Sequence, residues 1–163
     1  MASERAAALA DDFGAANAEA VAFARTCPEE AWMRPVPGEE WTVGVVLHHI
    51  AESHGTSARW LGEMARGEGV PDTAEAIDRA NADHAVRAAS VTPVETIALL
   101  TDGGARLEAV LRDFSDEELD RSAPFGPAGG RVFPTVDLAA VPARHTREHV
   151  AHARATAIAA GDA

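Results

Sequence analysis

Apolar residues recur at helical spacing along most of the chain. Leu9, Phe13, Ala16 and Ala20 stand three or four residues apart, which is the spacing of one face of an α-helix. Alanine is abundant, and the alternating β-branched runs typical of strands are nearly absent. The pattern predicts an all-α protein. The predicted long helices cover residues about 3–25, 42–67, 93–114 and 137–160 (or 142–160), and a shorter one covers about 74–89.

Capping residues and Pro/Gly runs mark the limits of these helices. Thr42 is a good N-cap, and residues 92–95 (TPVE) combine an N-cap, a proline in the first turn and a capping-box glutamate. The Gly/Pro-rich segment 121–136 predicts a loop with a short extended piece at 131–133. The chain has no internal repeat and no low-complexity linker, so we expect a helical bundle forming one domain over residues 1–163.

Composition and charge exclude several classes of function. The 26 acidic and 14 basic residues give a net charge of -12, which would repel nucleic acid and anionic membranes. The single cysteine excludes an internal disulfide and a Cys-rich zinc site, and neither a membrane span nor a signal peptide is evident. A cytoplasmic location is therefore expected. Because lysine is absent, Schiff-base chemistry is excluded.

Histidines form the main candidate for chemistry. His145 and His149 stand four residues apart on the predicted last helix, so one face of that helix presents both imidazoles to a divalent metal. His152 shares this face. His48 and His49 lie on another predicted helix, and metal sites in bundles draw ligands from facing helices. The alternative is that these histidines only pair with carboxylates such as Glu148.

Periodicity leaves the third ligand open. On the helix after Thr42, His54 lies nearest the centre of the apolar stripe, whereas His48 and His49 lie on its two flanks. A flank position suits an open metal site. A core position suits a buried structural histidine, although His54 could also supply the ligand.

Several motifs together resemble a known family. Residues 41–52 (WTVGVVLHHIAE) are similar to the W-[ST]-V-x-E-V-L-x-H-L-x-[DE] pattern of the DinB-like superfamily, with Gly44-Val45 in place of the x-E pair. The H-x-x-x-H of the last helix matches a second hallmark, and residues 91–121 resemble the middle segment. The superfamily includes the N-terminal domain of mycothiol-dependent maleylpyruvate isomerases. The resemblance implies a single-domain four-helix bundle and a divalent-metal site formed by His49, His145 and His149.

The resemblance also implies a range of functions. In the isomerase branch a carboxylate is typical at the position of His145, so this chain looks more like the all-histidine branch. We expect a divalent metal, zinc or nickel, and a thiol S-transferase or isomerase reaction in detoxification, with a small electrophile and a thiol such as mycothiol. The alternatives are a metal-dependent hydrolase with Glu52 or Glu148 as base, and a non-catalytic metal-binding stress protein. A homodimer is also expected. Substrate carboxylates would find candidate partners in four arginines: Arg34, Arg59, Arg144 and Arg147.

Overall fold

The chain folds into helices with one short hairpin inserted late in the sequence. The computed structural model describes residues 3–161, with side chains to residue 159, so residues 1–2 and 162–163 of the predicted domain lie outside the described residues. The helices are α1 (Glu4–Thr26), α2 (Glu29–Trp32), α3 (Val43–Ala65), α4 (Ala74–Arg87), α5 (Pro93–Asp113), α6 (Asp116–Asp120), α7 (Thr135–Ala139) and α8 (Val141–Gly161). The strands are β1 (Ser122–Phe125) and β2 (Arg131–Pro134).

The long helices α1, α3, α5 and α8 form a four-helix bundle. Both α5 and α8 pack against α1 and against α3, so the order around the bundle is α1, α5, α3, α8. The apolar faces meet in a core whose larger side chains include Phe13, Leu47, Ile50, Leu100 and Leu107. The predicted all-α bundle is confirmed. Within residues 3–161, no helix combines the length and the apolar character that spanning a membrane requires.

The predicted helix starts agree with the observed ones. The Thr42 hydroxyl accepts a hydrogen bond from the Val45 amide at the start of α3. At the start of α5, Thr92 and Glu95 form both halves of a capping box, with Pro93 in the first turn. These side chains bind amides that lack partners inside the helix, which is why the signals could be found in the sequence.

The segment 121–136 differs from the prediction. It was expected to be a loop with an extended piece at 131–133, but β1 and β2 pair as an antiparallel hairpin. Each strand has only four residues, and each includes one proline. The alternation of apolar and polar residues that predicts a strand is therefore too short to detect in the sequence. Val70 anchors the hairpin to the bundle, because its amide donates to the Pro124 carbonyl (2.9 Å) and its carbonyl accepts from Gly126 (2.8 Å).

Candidate metal centre

Three histidines from two helices meet where α3 packs against α8. His49 lies on α3, and His145 and His149 lie on consecutive turns of α8. Each contributes a ring nitrogen, and the three nitrogens lie within 4.8 Å of one another. The Nε2 atoms of His49 and His145 are 3.3 Å apart. Two nitrogens that bind a tetrahedral zinc at ~2.0–2.1 Å lie roughly 3.4 Å apart, so the donor separation fits such an ion.

The helix geometry of α8 explains why two of its histidines face the same point. Residues four apart lie on one side of a helix, and the rings of His145 and His149 have centroids 4.5 Å apart. Thr146 and Val150 occupy the neighbouring positions and are buried in the bundle. The core face of α8 therefore fixes the rotation of the helix, and the histidines come to lie at the edge of the core.

The carboxylate of Glu39 contacts the ring of His149. The His149 Nδ1–H donates to Oε2 of Glu39 at 2.8 Å, and the carboxylate is only 11% exposed. The other carboxylate oxygen lies 2.6 Å from Nδ1 of the exposed His152. With Nδ1 protonated, Nε2 of neutral His149 keeps its lone pair for a metal. Histidine ligands of metals usually have such a partner on the second nitrogen.

Glu39 lies in a tight loop between α2 and α3. The Val36 amide donates to the Trp41 carbonyl at 2.7 Å, and the Glu39 amide donates to the Val36 carbonyl at 3.1 Å. Gly38 and Glu40 adopt left-handed φ values of 84° and 57°. The loop lies between two predicted helices, and Glu39 is not among the residues that the sequence pattern predicts for the site. The available signal was a carboxylate pair that directly precedes Trp41.

Burial keeps two of the three histidines neutral. The pKa of His49 is lowered to about 3, mainly by burial and in smaller part by the neighbouring His145 and His149. Burial also lowers the pKa of His145 to about 4, with a second contribution from His149 and an opposing one from Glu39. Both imidazoles are therefore unprotonated near neutral pH. Neutral imidazole is the form that binds metals.

The other histidines near these helices lie elsewhere. His54 is 1% exposed and packs edge-on against Phe13, and among the described residues neither of its ring nitrogens has a hydrogen-bond partner. Its predicted core position is confirmed. His48 turns away from His145 and lies beside His84 of α4. His152 is exposed and contacts Glu39 instead of joining the three nitrogens.

A groove of about 560 Å³ reaches this cluster, where His49 and His145 line it. Trp60 and Phe125 form an aromatic wall, with their ring centroids 5.4 Å apart. Trp60 is half-buried, and the hairpin covers one side of it. The polar lining consists of Ser53, Thr56, Ser57 and Asn81, and the charged lining of Glu52 and Arg87.

The predicted arginines are mostly engaged elsewhere. Arg147 pairs with Asp12 on α1, and Arg59 pairs with Asp72 and Glu63. Arg144 is exposed, and Arg34 lines a different cavity beside His152. Arg87 of α4 does line the groove, and it was not predicted because nothing in the polar pattern of α4 distinguishes it.

Comparison with known proteins identifies the family of the chain. The DinB superfamily profile matches residues 12–153. The chain belongs to the DinB superfamily. No curated protein matches this DinB protein.

Solved structures share the fold of this DinB protein. YfiT from Bacillus subtilis, described as "a probable metal-dependent hydrolase with an unusual four-helix bundle topology", superposes with a TM-score of 0.78 at 19% identity, over 99% of this chain and 90% of that one. The mycothiol-dependent maleylpyruvate isomerase superposes with a TM-score of 0.72 at 17% identity, over 91% of this chain and 59% of that one. At these identities the likeness shows the fold alone.

Proposed function

We propose that the protein is a metal-dependent thiol S-transferase or isomerase in which His49, His145 and His149 bind zinc or nickel. The observation that carries the proposal is the convergence of three histidine nitrogens at the edge of an open groove. Donor spacing and neutral imidazoles both fit a divalent ion. An open groove also favours turnover over metal storage, since a storage site would be closed by protein atoms.

The bound metal would supply Lewis acidity, which lowers the pKa of a coordinated thiol so that it reacts as thiolate. The chain's own residues set the conditions for that step. Glu39 orients the His149 ring, and the apolar faces of Trp60 and Phe125 exclude water from one wall of the groove. Three neutral ligands leave the metal's positive charge uncompensated, which favours an anionic sulfur.

The lining of the groove supports a polar thiol and a small electrophile as substrates. Ser53, Thr56, Ser57 and Asn81 offer hydroxyl and amide groups to a ligand rich in hydroxyls. Arg87 offers a cation to a carboxylate. A thiol of the mycothiol type fits this chemistry, and one structural neighbour is named for its dependence on mycothiol. The alanine- and arginine-biased composition is typical of GC-rich bacteria, which agrees with that choice of thiol.

A second candidate is a metal-dependent hydrolase, the description given to YfiT. The observation in its favour is Glu52, whose carboxylate lines the groove beside His49. Glu52 already contacts His84 (2.9 Å) and Arg87 (3.4 Å). To act as base for a metal-bound water, its carboxylate would have to give up these contacts. Glu148 is exposed and does not line the groove. The geometry therefore favours the thiol reaction.

The test is a substrate screen on metal-loaded protein. Zinc- or nickel-loaded protein is incubated with a thiol panel (mycothiol, bacillithiol, glutathione) and model electrophiles, and in parallel with ester and amide substrates without thiol. We expect thiol consumption that is lost in His149→Ala and kept in His152→Ala, which retains all three proposed ligands. Ester or amide hydrolysis in the absence of thiol would instead establish the second candidate.

A further inference from the structure

A second histidine cluster lies beside the first, where α3 meets α4. His48 and Glu52 are four residues apart on that helix, and His84 approaches from α4. Each offers one donor atom, and the three donors lie within 4.8 Å of one another. His84 Nδ1 is 2.9 Å from Oε2 of Glu52, and the His48 and His84 rings have centroids 5.2 Å apart. The construction repeats that of the first centre: two donors one turn apart on one helix, and a third from its neighbour.

The cluster contains one polar atom whose burial is not compensated. Nδ1 of His48 is shielded from solvent, and among the described residues it has no hydrogen-bond partner. A buried polar atom without a partner costs free energy, which a ligand held by the cluster can offset. His84 is 3% exposed, and its Nδ1 lies 2.9 Å from Oε2 of Glu52 while its Nε2 lies 3.4 Å from the Val45 carbonyl. An ion held by the cluster would take the place of the contact between His84 and Glu52.

We propose that His48, Glu52 and His84 form a second divalent-cation site, with zinc as the ion that suits it. Two imidazoles and one carboxylate are an established donor set for zinc, and the carboxylate supplies a negative charge that the first centre lacks. Trp41 packs against both His49 and His84, with ring centroids 4.8 and 5.8 Å away, and so lies between the two centres.

Two cavities connect the cluster to solvent. Glu52 and His84 line the groove already described, and His48 lines a separate cavity of about 290 Å³ on the other side. Arg87 borders both cavities, and its guanidinium lies 3.4 Å from Oε2 of Glu52. This cation competes with a metal for the carboxylate. The Arg87 side chain is 61% exposed, so it can move into solvent when an ion binds.

The experiment removes the first centre before it tests the second. In a His145→Ala/His149→Ala background, apo protein is titrated with zinc, and the bound metal is measured by elemental analysis after gel filtration. We expect about one zinc per chain in this background and about two in the unmodified chain. Adding Glu52→Gln or His84→Ala should weaken zinc binding by roughly tenfold or more, whereas adding His152→Ala, which removes a histidine outside the cluster, should not. Arg87→Gln should tighten zinc binding, because it removes the cation that competes for the Glu52 carboxylate.

Folding and the first centre are controlled separately. His84 is buried, so circular dichroism melts check that each variant is folded. Glu52 is half-exposed, and Glu52→Gln removes the negative charge of the cluster without opening a cavity. Cobalt absorption in the same background reports ligation directly. The proposal is overturned if the folded background variant binds no zinc, or if Glu52→Gln and His84→Ala both leave affinity unchanged. Neither result bears on the proposed function, because the first centre is absent from the background.

Discussion

The three histidines of the candidate centre are held by neighbours of different kinds. His149 donates a hydrogen bond to the Glu39 carboxylate, His49 packs against the Trp41 ring, and His145 packs against the His149 ring. Of these contacts, the carboxylate one fixes a tautomer as well as an orientation. Glu39 therefore has a defined role in preparing His149 for a metal, although it would not touch the ion.

Replacing Glu39 should weaken metal binding while leaving the three histidines in place. Glu39→Ala frees the His149 ring and its tautomer, and loss of such a partner typically costs ~10–100-fold in metal affinity. We expect a decrease of that order for zinc, measured by competition with a chromophoric chelator. His152→Ala is the matched control, because it removes the second contact of Glu39 and keeps the first. Equal affinities for Glu39→Ala and the unmodified chain would contradict this role.

At the residue scale, sequence analysis could predict which helices supply histidines but not the complete site. The H-x-x-x-H of α8 follows from helical periodicity alone, because the spacing itself places both rings on one face. The choice between His49 and His54 does not follow from periodicity, since a metal ligand could lie either at the flank or at the centre of the apolar stripe of α3. The partnership of Glu39 with His149 joins a loop to a helix 110 positions away, and no local pattern encodes it.

At the scale of elements, glycines set how closely the helices pack. A Cβ placed on Gly104 of α5 would lie 2.0 Å from Nδ2 of Asn17 on α1. That amide is buried and donates to the Leu100 carbonyl at 3.0 Å, so it cannot move aside without losing its partner. Gly55 of α3 is the opposite case, because no described atom beyond its chain neighbours and the adjacent backbone of α3 lies within 4 Å of its Cβ position.

Alanine substitutions at these two glycines should therefore have opposite effects on stability. Gly104→Ala forces α1 and α5 apart or displaces Asn17, and overpacking of this kind costs about 1–3 kcal/mol. Gly55→Ala adds helix propensity at an open position and should stabilise by roughly 0.5–1 kcal/mol. Chemical denaturation with urea measures both. Equal midpoints for the two variants would show that the α1–α5 contact is looser than the structure places it.

The long elements were predictable because their ends carry side-chain caps and their apolar positions repeat over many turns. Thr42, Thr92 and Glu95 mark two of the starts. The short ones were not. Helices α2, α6 and α7 contain four or five residues each, which is too few for a periodic pattern. The hairpin gains its stability from contact with Val70 and Trp60, which no window of the strand sequence includes.

At the scale of the whole molecule, buried histidines link stability to pH. Burial lowers the pKa of His49 to about 3, and of His54 and His145 to about 4. In the unfolded chain a histidine titrates near ~6.5. Below that pH these histidines bind protons in the unfolded chain but stay unprotonated in the folded chain. The stability contributed by these groups is complete above about pH 6.5 and is lost as pH falls toward their folded values.

We therefore expect the melting temperature of the metal-free protein to fall between pH 7.5 and pH 5. Carboxylates contribute little to the change in stability between pH 7.5 and pH 5, because those with a lowered pKa take up protons only at more acidic pH. His54→Leu should reduce the pH dependence, since it removes one buried group that has no hydrogen-bond partner among the described residues. Paired melts at constant ionic strength provide the measurement. An unchanged melting temperature over this range would mean that the histidines are more hydrated than their burial indicates.

Part of the groove wall comes from segments that supply none of the proposed ligands. His49, His145 and His149 lie on α3 and α8, two of the long helices of the bundle, whereas Phe125 and Pro127 come from the hairpin region and Ile77, Asn81 and Arg87 from α4. Neither segment is one of the four bundle helices. Substitutions there can change the shape and polarity of the groove while the donor geometry stays intact. Such a division would let the proposed metal-binding frame diversify toward new substrates through two short peripheral segments, while the four helices that fold the chain stay unchanged.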